Sequence, residues 1–379
     1  MEKLRFGVIG TGGMGTAHCA NFEKIEEAVL TAVCDIDAGV VQAAAERFGV
    51  PGFGAAEELL DSGLVDAVLI ATPHYSHPPI AIEAFRRKIH VLSEKPIAVT
   101  VSQADSMIAA ALESGCAFGV MYQFRSAGVW RQARRIVEEG RLGEVYRTML
   151  VMGWYRSQAY YDSGGWRATW TGEGGGVLIN QAPHFLDAFA WLGGLPTRLT
   201  GGTRTRLHEI EVEDEAFATL EYANGAHGYL YASTTEAPAS EVLEVCGDRG
   251  KLELRGGQLR VWDLSTSIRA HCRESTAMWG DPESVAWALE RPGGGGQHRE
   301  ITANFCRHIT SGEPLMAPGA EGLWAVELIN GLILAGHTGD TVELPVDRSV
   351  YDRLLAELQA GSREKSRVRE QRVTDPQHL

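Results

Sequence analysis

The residues best equipped for chemistry begin at position 10. Gly10-Thr11-Gly12-Gly13-Met14-Gly15 satisfies G-x-G-x-x-G, and Asp35 lies 20 positions beyond Gly15. Gly10 permits a tight turn, Gly12 lets the backbone approach a pyrophosphate, and Gly15 allows close helix–strand packing. A helix opening at this loop aims its free N–H groups at the phosphates. Asp35 can accept hydrogen bonds from ribose hydroxyls and repels a 2′-phosphate. Ile36 and Asp37 offer no cation to reverse that, so NAD is favoured over NADP. Further on, Ala71-Thr72-Pro73-His74-Tyr75-Ser76-His77 and Ser93-Glu94-Lys95-Pro96 each follow a short apolar run. Gly174-Gly175-Gly176 precedes Asn180, His184 and Asp187, whose i, i+4 and i+3 spacing shares one face of a helix. Pro183 suits a helix beginning near Ala182, or one kinked there.

These groups need elements to hold them. The first 120 or so residues alternate apolar runs (4–9, 29–34, 66–71, 90–92, 117–121) with helix-like stretches (14–27, 38–48, 79–87, 102–114). That rhythm predicts a parallel sheet covered on both faces, a doubly wound α/β domain over 1–123. Ligands bind at the carboxyl ends of such strands, which places Ala71, Thr72, Pro73, His77, Glu94 and Lys95 beside the cofactor. Residues 124–360 read as a second, α+β domain. A connecting helix (126–139) and a strand (144–154) lead to a glycine-rich loop and one helix (177–192). Strands then dominate 197–263, with Ala223-Asn224-Gly225-Ala226 marking a hairpin. Residues 264–295 read as a long loop. Two late helices (297–311 and 319–338) are expected to pack back on a domain, and 361–379 as a polar, frayed tail.

In this order the motifs resemble the glucose–fructose oxidoreductase / inositol dehydrogenase / rhizopine-catabolism (Gfo/Idh/MocA) family over nearly the whole chain. They run from G-x-G-x-x-G through Ala-Thr-Pro-x-x-x-His and Glu-Lys-Pro to Gly-Gly-Gly…His-x-x-Asp and Leu344-Pro345-Val346-Asp347. The resemblance implies a Rossmann domain followed by a domain with a large, open, mostly antiparallel sheet that makes a homodimer or homotetramer. It also implies NAD(P)-dependent oxidation or reduction of a sugar, inositol or glycoside hydroxyl. Lys95 matches the family lysine that touches the nicotinamide side and the reacting hydroxyl, where an ammonium stabilises an alkoxide. His184 matches the family's general acid–base, a role suited to an imidazole at neutral pH. Asn180 departs from the pattern, because many members carry aspartate there; an amide can hydrogen-bond a hydroxyl but carries no charge.

Aromatic faces suit sugar rings, and Trp154-Tyr155-Arg156, Tyr160-Tyr161 and Trp166-Arg167 supply them. Core packing explains such aromatics equally well, and Tyr155 and Arg167 are the substrate-contact candidates. His74, His77 and Tyr122 are candidates for the nicotinamide pocket, with helix capping at Pro78-Pro79 an alternative for His77. A redox-neutral glycosidase or lyase working through transient sugar oxidation, and a redox-inactive NAD-binding regulator, are the competing functions. Composition narrows the partners. Net charge is −14 and the basic residues are scattered, which argues against nucleic acid and anionic membranes. No run approaches the length of a membrane span and no leader is visible, so a cytoplasmic location is expected. The six cysteines contain no C-x-x-C pair, and neither a disulfide framework nor a metal site is expected.

Overall fold

A computed structural model of the chain describes residues 3–290, 297–363, 365 and 368. They form two compact units, one of residues 3–127 with 297–326, the other of 128–290 with the described residues from 327 onward.

The first unit holds β1 (Leu4–Ile9), α1 (Gly13–Asn21), β2 (Ala28–Cys34), α2 (Ala38–Phe48), β3 (Gly52–Phe53), α3 (Ala56–Asp61), β4 (Ala67–Ile70), α4 (His77–Arg86), β5 (His90–Ser93), α5 (Val101–Ser114) and β6 (Phe118–Val120). All six strands are parallel, in the order β3-β2-β1-β4-β5-β6. This is a Rossmann sheet. Its central strands are apolar on both faces because helices cover both: Phe6, Val8, Val33, Val68 and Val91 have no exposed surface. Asp37 caps α2 by accepting from Gly39 N and Val40 N, and Thr100 caps α5 by accepting from Gln103 N. The helix 297–311 completes this unit. Phe305 packs edge-on to Phe6 with ring centroids 6.2 Å apart.

The second unit opens with α6 (Gly128–Glu138), β7 (Val145–Tyr155), α7 (Gln158–Tyr161), α8 (Val177–Asn180) and α9 (Pro183–Gly193). Next come β8 (Arg198–Arg204), β9 (Glu215–Glu221), β10 (His227–Ser233), β11 (Thr235–Gly247), β12 (Gly250–Arg255), β13 (Gln258–Leu264), α10 (Ile268–Glu274) and β14 (Ser284–Glu290). After α11 (Gln297–Ser311) of the first unit, α12 (Gly319–Thr338) carries the division between Val326 and Glu327. β15 (Val342–Glu343) and α13 (Arg348–Gly361) close the order. The nine-stranded sheet runs β14-β13-β12-β11-β7-β10-β9-β8-β15, antiparallel throughout except where β10 lies parallel to β7. The Asn224-Gly225 hairpin joins β9 to β10, with Gly225 at φ 83°. One face of the sheet is covered within the unit, with Leu220, Leu230, Leu150 and Leu243 buried. The other bears a row of cross-strand neighbours, Phe217, Tyr231, Val151 and Val242.

Two expectations need correcting. The stretch 264–295 is no loop over its described part: it contains α10 and β14, and β14 pairs along β13 from Leu264 to Gln258. Alternation over Ser284–Glu290 carries that strand, and the nearby glycines obscured it. The single helix expected over 177–192 is two, broken at Gln181 and Ala182, because Pro183 starts a new helix at its first position. Gly293–Gly296 and most of the expected tail lie outside the described residues.

Candidate active site

In the first unit the glycine loop is built as its spacing predicts. Gly10 has φ 89°, and a Cβ there would sit 2.7 Å from the Ala71 carbonyl carbon. A Cβ on Gly15 would fall 1.7 Å from Gly10 O, so α1 can begin this close to β1 only with glycine. A Cβ on Gly12 or Gly13 would meet nothing within 4 Å. These two glycines therefore border open space at the start of α1, next to Met14, which is 47% exposed. That geometry fits a dinucleotide: bare backbone at a helix N-terminus, with no side chain between it and a pyrophosphate. Asp35 Oδ2 accepts from Thr11 N at 2.8 Å, and its Oδ1 accepts from Asp37 N at 3.1 Å. The acid is thereby fixed beside the loop.

Glu94 and Lys95 follow β5. Glu94 is buried; its Oε1 lies 2.7 Å from His18 Nε2 on α1, and its Oε2 accepts from Lys95 N at 3.1 Å. Burial alone would push the Glu94 carboxyl up. The hydrogen bond and charge of His18, with the charges of Lys95 and His298, outweigh it and bring the group down to about 2. The residue before Lys95 is thus a carboxylate anchored to the phosphate-loop helix.

His77 lies inside the unit. It has no exposed surface, and its Nδ1 and Nε2 each lie 2.9 Å from a main-chain carbonyl, Pro96 O and Thr72 O. Burial pulls its imidazole below the usual histidine range while the two carbonyls pull the other way. Its main-chain N–H closes the short helical turn His74–Ser76 by donating to His74 O, and its ring ties the loop after β4 to the one after β5. His74 and Tyr122 are buried too, at 7% and 1% exposure.

In the second unit Asn180 ends α8 and His184 lies in the first turn of α9, so the two do not share a continuous helix. Around Asn180 stands a polar network. Tyr160 OH accepts from Arg167 Nη1 at 2.6 Å and from Gln181 Nε2 at 2.9 Å, and donates to Asn180 Oδ1 at 3.4 Å. Burial raises the Tyr160 phenol above its ordinary range, which keeps that proton in place. Arg167 stacks on the rings of Tyr160 and Trp166, 4.4 and 4.6 Å from their centroids. Asn180 Nδ2 donates to Glu173, a residue the spacing argument missed; its only signal was an acid directly before Gly174-Gly175-Gly176. Tyr155 stands apart from this network: its side chain is 52% exposed.

Comparison with known proteins decides what this arrangement belongs to. Residues 4–122 match the model described as oxidoreductase family, NAD-binding Rossmann fold, and residues 130–253 match the GFO/IDH/MocA C-terminal domain. The chain is 31% identical over 268 residues to inositol 2-dehydrogenase of Rubrobacter xylanophilus, covering 67% of this chain and 72% of that protein. The chain belongs to the Gfo/Idh/MocA oxidoreductase family. D-glucoside 3-dehydrogenase of Escherichia coli is 28% identical over 372 residues, covering 90% of this chain and 98% of its own. The crystal structure of the WlbA dehydrogenase from Bordetella pertussis, in complex with NADH and UDP-GlcNAcA, superposes with a TM-score of 0.77 at 27% identity. It covers 91% of this chain and all of that one. This chain carries G-x-G-x-x-G within its matched NAD-binding domain, Lys95 after β5, His184 in α9 and asparagine at 180. None of its described helices is long and apolar enough to cross a membrane.

Proposed function

We propose that the chain is an NAD-dependent dehydrogenase acting on a hydroxyl of a sugar, inositol or glycoside. The observation that carries this reading is the open cradle at Gly12 and Gly13 in a member of the Gfo/Idh/MocA family, with Lys95 two residues beyond β5 of the same sheet. Gly10 to Gly15 would hold the pyrophosphate and Asp35 the ribose hydroxyls, while Ala71, Thr72 and Pro73 line the loop after β4. Bound NAD supplies the acceptor for the hydride on the carbinol carbon. The rest is the work of the chain's own side chains. Lys95, its main-chain N–H held by the Glu94 carboxylate, stabilises the alkoxide as the hydroxyl loses its proton. His184 takes that proton in the neutral form, and Asn180 and Arg167 orient the substrate. A second copy of the chain covers the row Phe217, Tyr231, Val151 and Val242, giving a homo-oligomer.

The test is a panel of sugars, inositols and glycosides with NAD, followed by absorbance of the reduced nicotinamide. Reduced cofactor formed in proportion to product is expected; product without it assigns the redox-neutral chemistry instead. Lys95→Ala should lower kcat by on the order of 10²-fold while NAD affinity stays unchanged. In the oxidative direction kcat/KM should fall as pH drops through the histidine range, and His184→Ala should abolish that limb. An unchanged profile in His184→Ala moves the base to another residue.

A further inference from the structure

Position 180 carries an amide, which cannot supply charge, yet a carboxylate stands against it. Glu173 is 1% exposed, and its Oε1 accepts from Asn180 Nδ2. Its Oε2 accepts from Ala168 N at 2.6 Å, and Arg167 Nη1 lies 3.5 Å from Oε1. Two features hold the carboxylate there. Its own N–H donates to Thr169 O at 2.9 Å, closing a tight turn. Ala168, the residue just before that turn, has φ 56°, a left-handed conformation that a non-glycine residue adopts reluctantly and that the Glu173 acceptor helps to keep.

The chemistry of the pair is one-directional. A carboxylate only accepts, so its contact with Asn180 decides which way the amide faces: Nδ2 toward Glu173 and Oδ1 away. Oδ1 accepts from the Tyr160 hydroxyl at 3.4 Å, and an amide oxygen carries two lone pairs. Without the carboxylate the amide could turn over and offer N–H groups to the substrate instead. A hydroxyl that must lose its proton needs an acceptor beside it.

We propose that Glu173 is the positioning carboxylate of the substrate half of the site, supplying beside Asn180 the charge that position 180 lacks and fixing the Asn180 carbonyl oxygen as an acceptor for a substrate hydroxyl. The inference rests on the dehydrogenase reading for its functional part and on the Glu173–Asn180 contact for its structural part.

A double-mutant cycle on the full chain tests both parts: the parent, Glu173→Gln, Asn180→Asp, and the double variant. Glu173→Gln removes the obligatory acceptor and leaves the amide free to face either way. Asn180→Asp sets two carboxylates in contact, and one must hold a proton. In the double variant amide and carboxylate have exchanged places, so the pair re-forms. Each single variant should lower kcat/KM by roughly 10- to 100-fold and lower the melting temperature. The double variant should recover at least about tenfold in kcat/KM over either single, with a melting temperature near the parent's. NAD affinity, measured on all four proteins, should not move and so separates loss of positioning from misfolding of the whole chain. Melting temperatures whose losses simply add would overturn the pairing. Coupled melting temperatures with undiminished kcat/KM in the single variants would overturn the positioning role. A parent chain inert toward every sugar counts against the dehydrogenase reading, and the melting-temperature cycle then decides the pairing unaided.

Discussion

Asp35 does two things at once. Its Oδ2 holds the Thr11 N–H of the glycine loop, and the proposed ribose contact would use the same carboxylate, directly after β2. A substitution made to change cofactor preference therefore also loosens the loop. Ile36 beside it is 93% exposed and free to become a cation. The parent should bind NAD more tightly than NADP. Asp35→Ala alone should weaken both, and Asp35→Ala with Ile36→Arg should narrow or invert the ratio, read by titration calorimetry with each cofactor. Tighter binding of NADP by the parent chain would sink the assignment. The tight turn at Gly10 and the close packing at Gly15 were legible from spacing because a G-x-G-x-x-G loop fixes its geometry locally. Glu173 was not legible: its contact with Asn180 depends on the turn at Ala168, and no short-range pattern announces a left-handed alanine.

At the scale of elements, α8 shows how a short helix is held in a buried place. Glu213 Oε1 accepts from Gly176 N at 2.9 Å and from Leu178 N at 3.1 Å, two of the donors that a helix start leaves open. Gly176 is required there, since a Cβ would fall 1.8 Å from Glu213 O. Burial pushes the Glu213 carboxyl up to about 7, against the pull of those N–H groups, with Glu173 adding to the rise. The folded chain thus binds this proton more tightly than the unfolded chain, whose carboxyl has the ordinary value of 4.5. The resulting stability is fully present below the unfolded value and is lost as pH rises through about 7, a loss on the order of 3 kcal/mol. Glu213→Gln keeps an oxygen for both N–H groups and removes the titration. Its melting temperature relative to the parent should climb between about pH 5 and about pH 8; a constant difference in differential scanning fluorimetry would mean the carboxyl titrates normally. Element types were largely readable from periodicity and glycine. The break between α8 and α9 was foreshadowed by Pro183. By contrast β14 escaped, since its short alternation of Val285, Trp287 and Leu289 sits beside a run of glycines that reads as loop.

For the whole molecule the open sheet face is the decisive surface. Phe217 and Tyr229 are 38% and 45% exposed and lie on the same face as Met149 and Val151. Aromatic area of this kind, contiguous across three neighbouring strands, favours self-association. Light scattering at micromolar concentration should give a dimer or tetramer, and Phe217→Glu with Tyr229→Lys should shift it toward monomer with NAD binding retained. A strictly monomeric parent would contradict the oligomer.

The first unit is closed by residues far along the chain. Val120 N donates to Ala317 O at 3.0 Å, Arg307 pairs with Glu27 at 3.0 Å, and Phe305 fills the space beside Gly119. The chain passes from the first unit to the second, back to the first, and at Glu327 into the second again. On the ribosome, residues 3–127 emerge early but lack α11 and the start of α12 until position 326 has been made, with the intervening chain already out. Closing a loop of that length adds little equilibrium cost, since the entropy grows only with its logarithm, but it delays the event. A premature stop after β14 therefore removes α11 and the start of α12 from the first unit together with the last helices of the second, so a single truncation strikes both units at once.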